Sequence, residues 1–66
     1  MIPPALHRRL KAAVEALGGP VATAQRLGVS EECVRWWQRG RSAPREAMAQ
    51  KLADMVPGAV AENFRR

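Results

Sequence analysis

Gly18-Gly19-Pro20, Gly28, Gly40, Pro44 and Pro57-Gly58 cut this 66-residue chain into short pieces. Isolated helices shorter than about 12–15 residues are marginal in water, so such pieces hold structure only by packing on one another. Inside the pieces, apolar residues recur at helical spacing. Leu6, Leu10, Ala13, Val14 and Leu17 form one stripe, with Arg8, Lys11 and Glu15 opposite. Gly18-Gly19 ends that helix, and Pro20 suits the first position of the next. The second helix is expected over Pro20–Leu27, burying Val21, Ala24 and Leu27. Gly28 supplies a left-handed stop, and Ser30 an N-cap for a third helix with Glu31 and Glu32 in its first turn. That helix runs to about Arg39, with Val34 and Trp37 inward, and Gly40 closes it.

Ala43-Pro44 is expected to open a fourth helix, because the residue before proline avoids helical dihedrals and proline suits a first turn. Its face would carry Ala47 or Met48, the stem of Lys51, Leu52 and Met55. Pro57-Gly58 breaks it, and Ala59 to Phe64 would form a last turn or two with Val60 and Phe64 aligned. Nothing reads as a strand, a repeat or a low-complexity linker. The expected fold is all-α, a compact bundle of four to five short helices over one domain, 1–66, in which 57–66 is a candidate dimerisation segment.

Size and composition narrow the means of stabilisation. At 7.3 kDa the chain lies below the roughly 70–80 residues at which a single core is comfortable. Cys33 is the sole cysteine, so no disulfide forms within the chain, and Cys33 with His7 cannot complete a four-ligand zinc shell. Helix packing or self-association must do the work. Eleven Lys and Arg against six acids give a net charge of +5, and nine of the eleven are arginine. Excess positive charge fits a nucleic-acid partner, although a solubilised surface or an anionic membrane is compatible with it too. No apolar run approaches the ~20 residues that span a bilayer. Met1-Ile2-Pro3-Pro4 followed by His7-Arg8-Arg9 lacks the apolar stretch of a signal peptide, so a cytoplasmic location with Cys33 as a reduced thiol is expected.

The segment from Pro20 to Gly40 has the physics of a helix–turn–helix. Ala24 is small where the next helix crosses, Gly28 turns the chain, and Val29, Val34 and Trp37 plug the angle between the two helices. The outer face of the second helix is then free to enter a major groove, which admits one helix. Here the chain resembles the lambda-repressor-like helix-turn-helix family, most closely the small phage Cro repressors and YdaS-type antitoxin regulators. The resemblance rests on Ala24, Leu27-Gly28-Val29-Ser30, Val34, Trp37 and Arg39-Gly40-Arg41, with Pro44 following, and covers roughly residues 6–56. It implies a lambda-repressor-like fold and a sequence-specific double-stranded DNA-binding regulator, a phage or prophage repressor acting by operator occupancy. It also implies a bacterial cytoplasmic or nucleoid location.

The resemblance further implies base contacts from Ser30, Glu31, Glu32, Arg35 and Trp36. Arg35 is the candidate for a bidentate guanine contact, and Glu31 or Glu32 for accepting from cytosine N4. Trp36 departs from the usual polar residue, and is open to a thymine methyl, to sugar or to a protein interface. Phosphate contacts would fall to the backbone N–H groups of Val21 and Ala22 and to Gln25, Arg39, Arg41 and Arg45. The stretch from Arg35 to Arg45 holds four arginines and no acid. A symmetric dimer on a pseudo-palindromic operator is the economical arrangement, formed in solution or only on DNA, with Val60 and Phe64 as its candidate surface; Phe64 could instead fold back on its own core.

Plainer readings stand beside these. Arg35 follows Glu31 by four residues and Glu32 by three, so it is also placed for a surface ion pair. The two glutamates suit the helix dipole equally well. Cys33 reads as a small packing residue, His7 as simply exposed, and Met48 and Met55 as core spacing. No catalytic constellation can be assembled with one histidine and one cysteine, so neither an enzyme, a cofactor nor a small-molecule substrate is expected. An antitoxin-type regulator that binds a toxin protein, or a helical interaction module without DNA binding, are the alternatives.

Overall fold

The computed structural model describes residues 1–65; residue 66, the last of the 57–66 segment, lies outside the described residues. Four helices follow one another: α1 (Pro4–Ala16), α2 (Pro20–Leu27), α3 (Glu31–Gln38) and α4 (Glu46–Met55), then a single 3-10 turn, Ala61–Asn63. The all-α expectation holds, and there is no strand among the described residues. One hydrophobic cluster joins Leu6, Leu10 and Val14 of α1, Leu27 of α2, Val34 and Trp37 of α3, and Leu52 of α4. Ile2 and Phe64 enter it from the two ends of the chain.

The stripe on α1 is buried as its spacing predicts, through Leu6, Leu10, Ala13 and Val14. On α2 the buried residues are Thr23, Ala24 and Leu27, while Val21 is 48% exposed, which corrects the expected stripe. Val21 and Thr23 point about 200° apart on a helix, so only one can face in. Thr23 does, and its hydroxyl finds an acceptor at the end of α1, the Val14 carbonyl at 3.5 Å.

Between α2 and α3 the turn is built as expected. Gly28 sits at φ 75°, a left-handed conformation that L side chains rarely adopt. It lets the N–H groups of both Gly28 and Val29 reach the Ala24 carbonyl, at 2.9 and 3.1 Å. Ser30 then caps α3, its Oγ accepting from the Cys33 N–H at 3.1 Å. Glu31 and Glu32 occupy the first turn, where the helix dipole favours acids.

The fourth helix differs from the sequence reading in its start and its face. It begins at Glu46 rather than beside Pro44, because Arg45 is still extended (ψ 164°) and is the N-cap. Pro44 is buried instead of opening the helix. The buried line is Ala49, Leu52 and Ala53, with Met48 and Met55 half-buried beside it. Lys51 stays exposed, being about 100° round the helix from Leu52.

The C-terminal segment is also corrected. Only Ala61–Asn63 is helical, and it is a tighter 3-10 turn, so Val60 and Phe64 do not share a face. Val60 is 57% exposed, whereas Phe64 is 3% exposed and lies in its own chain's core, which removes it as a dimer surface. The segment is strapped down by Arg9 Nε donating to the Asn63 carbonyl at 2.9 Å, and by Arg65 pairing with Glu46 at 2.7 Å and Glu62 at 3.6 Å. Phe64→Ala is therefore expected to cost about 3–5 kcal/mol, against a total stability of roughly 3–10 kcal/mol for a chain of this length. Val60→Ala should change stability by no more than about 0.5 kcal/mol. Urea unfolding of the two variants checks both values.

Candidate nucleic-acid interface

Amphipathicity of α3 creates the site. Val34 and Trp37 anchor its inner side in the core, which turns Glu32, Arg35, Trp36 and Arg39 outward. Together with Glu31 these outward residues line one shallow concavity along the helix. Ser30, exposed at its start, has one acceptor lone pair committed to the cap and keeps its hydroxyl proton free to donate.

Arg35 and Glu31 form the ion pair that their four-residue spacing allows, both side chains remaining about half exposed. Of the two glutamates it is Glu31, not Glu32, that pairs. An exposed pair of this kind contributes about 0.3–0.5 kcal/mol. A bidentate arginine–guanine contact is worth about 1–3 kcal/mol, so the pair orients the guanidinium without locking it away. Glu32 has no ion-pair partner among the described residues.

The other candidates sit on neighbouring elements. Val21 and Ala22 are at the start of α2, where among the described residues neither N–H has a backbone acceptor. Gln25 is exposed on the following turn. Arg39, Arg41 and Arg45 are all exposed and carry no ion pair among the described residues, so their charge is uncompensated. Arg41 and Arg45 flank the non-helical stretch between α3 and α4. Beyond Trp36, this stretch and α4 border an apolar groove lined by Val29, Cys33, Ala43, Pro44 and Met48, with Arg45 at its edge. Cys33 is half-buried there against the core, in its expected packing role.

At the end of α3, Gly40 acts as the expected stop, and His7 and Ile2 join it in roles that the sequence reading missed. Gly40, at φ 74°, closes the helix: its N–H reaches the Trp37 carbonyl at 3.1 Å, and the Arg41 N–H reaches that of Trp36 at 3.0 Å. Its own carbonyl accepts from the Ile2 N–H at 3.0 Å, which ties the N-terminus to this corner. His7, expected to be exposed, is half-buried, and its Nε2–H donates to the Gln38 carbonyl at 2.5 Å. A signal for it was available: His7 stands three residues before Leu10 and seven before Val14, on the flank of the buried stripe.

Among the described residues no three His, Cys, Asp or Glu side chains cluster to hold a metal, and no helix is long and apolar enough to cross a membrane. Comparison with family models, curated proteins and solved structures finds no match to this chain.

Gly28 and Gly40 separate two causes of glycine dependence. Both have positive φ, but a Cβ on Gly28 meets nothing within 4 Å, whereas one on Gly40 meets the His7 ring at 3.0 Å. Gly28→Ala should cost about 1–2 kcal/mol of backbone strain. Gly40→Ala should cost more by about 1–3 kcal/mol, the range for overpacking, and that excess should vanish in a His7→Ala background. Thermal or urea unfolding of the four variants reads out the coupling.

Proposed function

We propose that this chain is a sequence-specific double-stranded DNA-binding transcriptional regulator, a repressor of the lambda-repressor-like, phage Cro kind, which acts by occupying an operator. The observation that carries the reading is α3 itself. It is a short helix rigidly backed by Val34 and Trp37, presenting Arg35, Trp36 and Arg39 outward, with uncompensated Arg41 and Arg45 directly after it. A single helix of this kind matches the width of a major groove. The N–H groups of Val21 and Ala22 at the start of α2, with Gln25, suit a phosphate of the adjoining backbone.

In this reading Ser30, Glu31, Glu32, Arg35 and Trp36 face base edges, and Arg39, Arg41 and Arg45 neutralise phosphates. One recognition helix reads few base pairs, so two copies on half-sites about 34 Å apart supply the specificity. With Phe64 in the core, Val60 alone remains of the C-terminal candidates for that contact. A cytoplasmic or nucleoid location goes with the function. The apolar groove beside Trp36 favours a second reading, a protein-binding module or toxin-binding antitoxin.

A titration against a pool of random duplexes at low and near-physiological salt tests the proposal. Enrichment of a two-fold-symmetric site that survives the higher salt supports it, and salt-labile binding without enrichment overturns it. Arg35→Ala should lose about 1–3 kcal/mol of discrimination at one base pair of that site. Arg41→Ala should weaken all sequences alike and reduce the slope of log affinity against log salt by about one unit.

A further inference from the structure

Trp36 is the one large apolar side chain on a face otherwise made of charges. It keeps 43% of its surface exposed, whereas Trp37 beside it is in the core. On one side its ring borders the concavity of Glu31, Glu32, Arg35 and Arg39. On the other it lines the groove with Cys33, Ala43, Pro44 and Met48. The backbone beneath it is held by the Arg41 N–H on its carbonyl. A bulky ring with only two side-chain torsions, backed by such a groove, is a preorganised apolar element rather than a mobile chain.

The floor of a major groove carries donors and acceptors at every base pair and one apolar group, the C5 methyl of thymine. We propose that Trp36 is a specificity-determining residue that recognises a thymine methyl beside the base pair met by Arg35, an inference that rests on the DNA-reading function above. To a phosphate an indole offers only its single N–H as a donor, and a sugar contact carries no sequence information. A protein segment seated in the apolar groove would use the same ring, but would be indifferent to a change made in the DNA alone.

The test begins from the site enriched from the random duplex pool and replaces each thymine in turn by deoxyuridine. This deletes the methyl and leaves every hydrogen-bonding group in place. For the unaltered protein, at least one replacement should weaken binding about three- to fivefold, the worth of one methyl group withdrawn from water. Trp36→Ala should bind the thymine and deoxyuridine duplexes equally. Trp36→Gln, which is polar but larger, serves if the alanine variant fails to fold, and it too should lose the difference. A specific site with no deoxyuridine-sensitive position, or a sensitivity that persists in both variants, overturns the Trp36 assignment and leaves the DNA-reading function standing. A pool that enriches no sequence removes that function, and the assignment with it.

Discussion

The corner at Gly40 is where the separate pieces of this small chain are tied to one another. Its carbonyl holds the Ile2 N–H, its N–H closes α3 on Trp37, and its Cα lies so close to the His7 ring that no side chain fits between them. His7 in turn holds the last turn of α3 through the Gln38 carbonyl. The N-terminal arm, α1 and α3 therefore share one set of hydrogen bonds, and the non-helical stretch that carries Arg41 and Arg45 leaves from it. A chain that buries only about 60% of its unfolded surface has few other ways to fix the direction of a two-turn helix. Here that direction determines which side chains face out.

Among the described residues, ion pairs engage two of the basic side chains, Arg35 and Arg65. The acids of the C-terminal half that pair with arginine do so with Arg65, at Glu46 and Glu62, where they hold the last segment down. Glu31 pairs with Arg35 on the surface of α3. Arg39, Arg41 and Arg45 are left without such partners among the described residues, although Glu46 immediately follows Arg45. Uncompensated like charges in one stretch oppose folding slightly and attract a polyanion strongly.

Local chemistry was fully legible at several points. The α1 stripe, the left-handed Gly28, the Ser30 cap with its first-turn acids, and the inward Val34 and Trp37 all follow from spacing and residue type, because each depends on neighbours within one or two turns. The failures share another character. Val21 and Thr23 compete for one inward position, and a carbonyl on a different helix decided between them. Pro44 satisfied the rules for a helix start, yet its ring was drawn into the fold and the helix began two residues later.

By itself the sequence determined the order of the four helices, the turn between α2 and α3, the density of arginine after α3 and the absence of an internal disulfide. Those properties are set by dihedral preference, periodicity and composition, which act within short stretches. Tertiary structure alone decided that Phe64 belongs to the core while Val60 faces solvent, that His7 and Ile2 secure the end of α3, and that Trp36 lies between a charged concavity and an apolar groove. Each of these depends on which distant segment arrives at the residue. Sequence spacing carries that information only where two segments share a period, and the chain ends and the α3–α4 connection share none.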